Sequence, residues 1–325
     1  MAYVRRELPV LSWSHRRDQT LVECPQLYYL RYYAAHNGWE RNAPVEARQA
    51  YVLGKLSSLS QAVGMALHRR AAERVAALVA GDPLPGEGVM LNRCRVELNQ
   101  LYLSSRRRDA FLRDPKNSPM LLEMYYGGEI TAEQLERART KLRTCVAHLA
   151  RSAVWDELRS CLDVGGEVLV IDSLRTFELD GLEIYAAPDL VFRGPANLPW
   201  TIVDWKTALD WDGDTSQVAG YGLLVRDSLG WPLVDGRFAG RIVCLGSGGD
   251  HNFWLDAEDL VEAERRTGPA SRMRVLLADP IANRPLPWDA YRLNWRPWRC
   301  RHCSYPEVCR DRILAEIRDR AGDAA

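Results

Sequence analysis

The sequence predicts an α+β fold with a mixed sheet, and three observations carry that expectation. Helical patterning fills the chain up to about residue 162, with a capping-box signature at Thr131-Ala-Glu-Gln134. After Gly165-Gly166 the period changes to that of strands, and Asp180-Gly181 supplies a hairpin-turn dipeptide. Helical segments then return around one more strand, an order that separates helices from a meander rather than alternating them.

Taken in order, Ser12 or Ser14 can cap a first helix running through Leu27-Tyr28-Tyr29-Leu30. A second helical stretch covers Arg48 to Val79 and is ended by Gly81-Asp82-Pro83, and a third covers 87–113. The helix opened at Thr131 continues to about Leu162. The β-rich part comprises Glu167 to Ile171, Leu174 to Leu179, Leu182 to Phe192 and, after the loop Gly194 to Pro199, Trp200 to Lys206. Helix is expected again from about Ser216 to Leu229, a strand at Arg241 to Leu245, and a helix from Asp256 to Leu277 with Asp256 as cap and Asp259 in its first turn. Residues 280–299 are rich in Pro and Trp and irregular, and a last helix runs from about Pro306 to Arg320.

The 325 residues are 47% hydrophobic, enough for a substantial core and without the signature of bulk disorder. No apolar run reaches the roughly 18 residues of a membrane span, and the opening MAYVRRELPVLSWSHRRDQ has no apolar signal core. The expectation is a cytoplasmic protein with no membrane association. The 43 basic and 43 acidic side chains cancel, so net charge does not announce a nucleic-acid partner. Local clusters at Arg106-Arg107-Arg108, at Arg137, Arg139, Lys141 and Arg143, and from Arg292 to Arg310 are, singly, ordinary solvated helix faces.

Several polar residues interrupt segments that would pack better without them. In Ile202-Val203-Asp204-Trp205-Lys206, Asp204 and Lys206 share one face of a strand, an arrangement that costs desolvation energy. Asp189, in Pro188-Asp189-Leu-Val-Phe192, is a lone acid in an apolar run on the preceding strand. Short connection makes the two strands neighbours, so Asp189 and Asp204 can converge. Two close carboxylates repel unless a cation lies between them, and hard oxygen donors select Mg²⁺ or Mn²⁺ over zinc. His68 has Ala71, Ala72 and Val75 on its helix face and looks inward, and Gln217 and Tyr221 stand one turn apart.

His68, Pro188-Asp189, Asp204-x-Lys206 and Gln217-x-x-x-Tyr221, in that order and on those segments, resemble the RecB-like branch of the PD-(D/E)XK nucleases. The resemblance implies a restriction-endonuclease-like core, a mixed central sheet flanked by helices, with a helical insertion. It implies that Asp189, Asp204, the Trp205 carbonyl and His68 hold the metal, that Lys206 orients or deprotonates the attacking water, and that Gln217 and Tyr221 position the DNA backbone. Glu167, on the first strand of the meander, either joins the site or is an exposed strand residue.

Of eight cysteines, Cys94, Cys145, Cys161 and Cys244 lie in apolar or helical contexts and read as buried thiols. Cys300-Arg-His-Cys303 followed by Cys309 brings three thiols within ten residues, a spacing that suits zinc or an iron–sulfur cluster. His302 or Cys24 can supply the fourth ligand. Cys24, in Glu23-Cys24-Pro25-Gln-Leu-Tyr-Tyr29 after Ser12 and Ser14, resembles the N-terminal segment of the iron–sulfur RecB-like nucleases, among them AddB nuclease domains and CRISPR-associated adaptation nucleases. What that implies is a 4Fe–4S cluster on Cys24, Cys300, Cys303 and Cys309, with zinc as the alternative, closing a loop of nearly the whole chain.

The expected organisation is an N-terminal helical part (1–81), a helical insertion (82–164), a catalytic core (165–280) and a cluster lobe (281–325). The resemblance implies a Mg²⁺- or Mn²⁺-dependent deoxyribonuclease acting on single-stranded DNA or duplex ends, in repair, CRISPR adaptation or phage defence, beside a helicase or integrase. The alternatives are an inactive DNA-binding or scaffold subunit and a zinc-stabilised interaction module. Trp288, Trp295 and Trp298 with Arg292, Arg296, Arg299 and Arg301 either stack single-stranded DNA or pack the cluster lobe.

Overall fold

A computed structural model describes residues 5–194, 198–228, 236–267 and 272–322. The chain forms two compact units, each assembled from separated segments. One takes Leu59–Leu101 and Glu129–Gly268; the other takes Met1–Ser58, Tyr102–Gly128 and Pro269–Ala325. The helical residues of 82–164 are shared between them.

The first unit is built on strands β1 (Glu167–Ile171), β2 (Arg175–Leu179), β3 (Leu182–Ala186), β4 (Leu190–Arg193), β5 (Thr201–Lys206), β6 (Arg237–Cys244) and β7 (Gly249–Asp256). Its helices are α1 (Leu59–Ala80), α2 (Glu87–Ser105), α3 (Ala132–Arg151), α4 (Val154–Asp163), α5 (Ser216–Leu223) and α6 (Ala257–Thr267). Five strands form one sheet in the order β7-β6-β5-β4-β1. Only β5 and β6 run parallel; the other pairs are antiparallel, which makes the sheet mixed as expected. Parallel pairing needs a crossover, and α5 lies in the segment that makes it. The β2–β3 hairpin turns at Asp180 (φ 50°) and Gly181 (φ 72°), the two left-handed residues that let a two-residue turn follow the strand twist.

Alternation assigns the two faces of the sheet. Leu190 and Phe192 of β4, Val203 and Trp205 of β5 and Val243 of β6 pack with Leu67 and Val75 of α1, Val146 of α3 and Trp155 and Leu158 of α4. Trp205 is buried and its ring stacks on Trp155 at 5.6 Å and 17°. Trp155 in turn donates its indole N–H to the Leu149 carbonyl and lies under the Arg74 guanidinium, 4.7 Å away. On the other face α5 packs against β5 and α6, and α6 against β7. Gly240 of β6 lies opposite Phe253 of β7, and a Cβ there would come within 2.2 Å of the ring. Buried Arg241 ties β6 to β7 and α4 through Asp250 (Nε to Oδ1 2.7 Å) and Glu157.

Most differences from the sequence expectation have local causes. The first helix is capped by Ser14, whose hydroxyl accepts the Arg17 N–H, but it stops at Glu23. Cys24 is extended (φ −162°) because Pro25 disfavours helical backbone in the residue before it, and a new helix starts at Pro25. The expected helix over 48–79 is two, Val45–Leu53 and α1, split by the short strand Leu56–Ser57. The expected helix over 131–162 breaks at Ser152, although its capping box at Thr131 and Gln134 forms both ways. The strand expected over 182–192 is interrupted at Ala187-Pro188-Asp189, where Pro188 cannot donate to a ladder. Strand β7 was not expected, and it takes up the residues just before the predicted Asp256 cap. Asp256 does cap α6, accepting the N–H groups of Glu258 (2.8 Å) and Asp259 (3.1 Å). That helix is described over Ala257–Thr267, and the stretch expected to continue it to Leu277 holds a 3-10 turn at Arg274–Leu276 and a strand from Leu277.

The second unit joins the two ends of the chain. Its core holds Leu30, Leu53, Phe111, Met120, Tyr125 and Tyr305, with Leu56–Ser57 and Met120–Leu121 as a small parallel pair. Asn283 (φ 51°) accepts from the Tyr33 hydroxyl (2.9 Å) and donates to the Pro9 carbonyl (2.8 Å). The last helix is Pro306–Gly322. Among the described residues no helix is long and apolar enough to cross a membrane.

Trp155 carries the contact between α4 and the middle of the sheet. Trp155→Ala is expected to cost about 3–5 kcal/mol, measured as a lower midpoint in guanidinium unfolding; a change within error would contradict this account of the core.

Candidate active site

The site lies where the β4–β5 ladder opens. Leu190 pairs with Val203, and continuing that register would set Pro188 opposite Trp205, but the ladder ends at Leu190. The Trp205 N–H is left without a strand partner and donates instead to Asp189 Oδ2 at 2.7 Å. The other carboxylate oxygen of Asp189 lies 2.8 Å from His68 Nδ1 on α1. With the Asp189 carboxylate as acceptor Nδ1 is the donor, and a neutral His68 then keeps its lone pair on Nε2. Asp189 is 7% exposed.

Asp204 points to the opposite face from Trp205 and is 2% exposed. Its Oδ2 forms an ion pair with Lys206 Nζ at 2.6 Å. Lys206 donates to Gln217 Oε1 at 2.5 Å, and Gln217 Nε2 donates to the Tyr221 hydroxyl at 2.6 Å. One chain of contacts therefore runs from Asp204 through Lys206 and Gln217 to Tyr221, and a second joins Trp205, Asp189 and His68. Glu167 stands apart, paired with Arg193 across the β1–β4 pair at 2.6 Å.

Electrostatics at the site follow from burial. Desolvation raises the Asp204 carboxyl well above the usual carboxylate range; the charge of Asp189 adds to this and Lys206 opposes it. Burial alone would lower the His68 imidazole, but the Asp189 hydrogen bond and the charges of Asp189, Asp204 and Asp172 reverse that and raise it. Burial pushes the Tyr221 hydroxyl up, with Asp204 and Asp189 adding to it. Asp172 escaped the sequence reading. It follows β1 in left-handed backbone (φ 35°), donates its N–H to the Asp189 carbonyl at 2.9 Å, and has its carboxyl raised by burial and by Asp189. The available signal was a lone acid directly after an apolar strand, Val168-Leu-Val-Ile171.

Among the described residues no group of three or more His, Cys, Asp and Glu side chains is set to hold a metal ion. The oxygens of Asp189 and Asp204 face proton donors, namely His68, the Trp205 N–H and Lys206. The donor set nevertheless suits a hard cation, because Asp189 and Asp204 are both buried and close enough for the charge of Asp189 to raise the Asp204 carboxyl.

In the second unit Cys24, Cys300, Cys303 and Cys309 line one pocket with Leu27, Leu30 and Leu293. Burial pushes the Cys303 thiol up to about 11 and Cys309 up to about 12, with neighbouring thiols adding to both shifts. The Tyr305 N–H points to Cys303 Sγ at 3.5 Å. Asn294 and Arg299, beside the pocket, both donate to the Glu23 carbonyl, at 2.8 and 2.5 Å. Trp288 packs between Tyr29 (5.3 Å) and Arg312 (5.1 Å), whereas Trp298 is 65% exposed. Packing of the lobe thus accounts for Trp288 and Arg299.

The family model of the PD-(D/E)XK nuclease superfamily matches residues 12–310. With the mixed sheet and flanking helices, that match gives the restriction-endonuclease-like fold. No curated protein matches the chain. Among solved structures, the crystal structure of SSO0001 is similar at 14% identity over 64% of this chain and 83% of that one, with a TM-score of 0.25, too low to carry an argument.

A carboxyl raised on folding holds its proton more tightly in the folded chain. Its contribution to stability is full below the unfolded carboxylate range and is lost as pH rises through the raised value. Cation-free protein is therefore expected to lose stability between about pH 4 and 7, and Asp204→Asn to flatten that loss. Thermal melts in EDTA across pH measure both, and identical profiles for the two proteins would contradict the burial argument.

Proposed function

Because this chain belongs to the PD-(D/E)XK nuclease superfamily, we propose that it is a Mg²⁺- or Mn²⁺-dependent deoxyribonuclease that hydrolyses phosphodiester bonds at DNA ends or in single strands. The observation that carries this reading is the buried Asp204 carboxylate, 2.6 Å from Lys206 and close enough to Asp189 for that charge to raise it. Asp189 and Asp204, with His68 and the Trp205 carbonyl, would hold the cation. When bound, it supplies Lewis-acid polarisation of the phosphodiester and a water acidic enough to ionise near neutral pH.

The protein's own groups do the remaining work. Lys206, 35% exposed, is held from one side by Asp204 and from the other by Gln217. An ammonium so fixed orients the attacking water and stabilises charge on the phosphoryl oxygens. Gln217, braced by Tyr221, keeps Lys206 in place. Asp189 fixes the His68 ring through Nδ1, which would leave Nε2 to bind the cation, the usual arrangement behind a metal-bound imidazole.

The four cysteines of the second unit are proposed to hold a 4Fe–4S cluster, with zinc as the other metal four thiolates accept. Support comes from their shared pocket and from the Tyr305 N–H on Cys303, a contact that favours thiolate over thiol. The role is structural, fastening Cys24 to the C-terminal segment. The similarity to RecB-like nucleases suggests work in repair, CRISPR adaptation or phage defence beside a helicase or integrase.

Lys206→Ala and Asp204→Ala are expected to lower cleavage of end-labelled DNA by at least about 10²-fold while binding survives; full activity in purified Lys206→Ala would remove the catalytic assignment. Protein purified without air is expected to be brown with about four irons per chain. Colourless protein carrying one zinc would replace the cluster with zinc.

A further inference from the structure

Lys206 and Gln217 meet at 2.5 Å, yet each stands at the end of its own element. Lys206 is the last residue of β5 and Gln217 the second of α5, so the path of residues 207–216 bears directly on whether the two side chains meet. That segment is tied to the sheet at its start. There the Lys206 carbonyl accepts the Leu245 N–H (2.7 Å) and the Ala208 carbonyl accepts the Gly246 N–H (2.9 Å). Further on, its hydrogen bonds turn inward. The N–H groups of Trp211, Asp214 and Ser216 go to the side chains of Asp210 (2.8 Å), Asp212 (3.1 Å) and Asp214 (2.8 Å). Such local turns fix the shape of a loop without fixing where it lies.

Trp211 ties the middle of the loop to the sheet. Its ring stacks on Phe253 at 5.2 Å and 23°, and lies tilted against His251 at 5.4 Å. Both partners belong to β7. Phe253 is opposite Gly240 of β6, whose missing Cβ leaves room for the ring to lie across that strand. His251 is opposite Ile242, and Ile242 is opposite Asp204. Alternation therefore puts the stack on the sheet face that Asp204 and Lys206 share, with His251 two strands, or about 10 Å, from Asp204. Beside Trp211, Leu209 is 75% exposed, and Asp210 stands 3.8 Å from His251 with its side chain 86% exposed. Asp210, Asp212 and Asp214 make the loop acidic, so it is unsuited to seating phosphates, and the stack orders the protein instead.

We propose that Trp211 is a positioning residue for cleavage: its stack on Phe253 and His251 sets the loop so that Gln217 Oε1 meets the Lys206 ammonium. Trp211 acts through Gln217 rather than on the substrate. The inference rests on the nuclease reading above for the reaction, and on a different set of side chains for its geometry. Without the stack the loop keeps its aspartate turns and loses its seat. Lys206, on a flexible four-carbon stem, then loses the partner that holds it opposite Asp204.

Two measurements on the full chain test this. In cleavage of end-labelled DNA with Mg²⁺ or Mn²⁺, Trp211→Ala is expected to lower kcat about 10- to 100-fold with KM within about twofold. Trp211→Phe, which keeps a stacking ring, is expected to restore most of the loss. In a Gln217→Ala background Trp211→Ala is expected to cost almost nothing more, because the residue it positions is gone. Losses that multiply, full activity in Trp211→Ala, or an equal fall in Trp211→Phe would overturn the proposal. The second measurement is amide hydrogen exchange in EDTA. Trp211→Ala is expected to quicken exchange over 209–217 and to leave β5 and β6 unchanged. Unchanged exchange over 209–217, or faster exchange throughout the sheet, would overturn the proposal. Because exchange needs no turnover, the two readings fail separately. A loop released by Trp211→Ala in a protein that cuts nothing keeps the anchor and removes the nuclease. Cleavage indifferent to Trp211 does the reverse.

Discussion

The bond from the Trp205 N–H to the Asp189 carboxylate is the constraint on which the rest of the site depends. A strand that loses its partner leaves an unpaired N–H in a buried setting, at a cost of about 1–3 kcal/mol if nothing accepts it. Pro188 ends the ladder and Asp189 supplies the acceptor from its side chain. The ladder can therefore open at this point without exposing β5. The same carboxylate reaches His68 on α1, so one residue fixes the end of β4, the outer part of β5 and a helix together.

Opening the ladder gives the site access to both faces of the sheet. From the face packed on α1, α3 and α4 comes His68; from the face packed on α5 come Gln217 and Tyr221. Trp205 points into the first face and is clamped by Trp155, which leaves Asp204 and Lys206 directed at the second. Strand alternation thus converts a hydrophobic anchor into a means of aiming two charged side chains. The aim is expensive, because Asp204 is nearly inaccessible and its neighbour Asp189 carries the same charge. A cation between the two carboxylates would offset that cost.

Much of this was legible in the sequence because it is written at short range. The Asp204-x-Lys206 spacing on a strand, the Gln217 and Tyr221 pair one helical turn apart, the Asp180-Gly181 turn and the Thr131 capping box each need only a few neighbouring residues to be read. What was missed is partly local and partly the product of contacts far apart in the chain. The break at Cys24 turns a Pro into a helix boundary where apolar periodicity continued on both sides. Strand β7 alternates exposed and half-buried residues on a sheet edge, so no strong apolar stripe marks it. Asp172 enters the site only because its N–H meets the Asp189 carbonyl across the sheet. The two units also interleave along the chain, and no composition shift marks where the path passes from one to the other.

The central claim is that Asp189 and Asp204 are buried together to hold a cation. Mn²⁺ titrated into the protein by calorimetry, at several pH values and in two buffers of different ionisation enthalpy, tests it most directly. Since Asp204 has its carboxyl raised on folding, binding should expel a proton near the raised value and progressively less of one as pH rises beyond it. The account predicts saturable Mn²⁺ binding with that pH-dependent proton release, both lost in Asp204→Asn. Mn²⁺ binding that is absent, or that persists unchanged in Asp204→Asn, would contradict it.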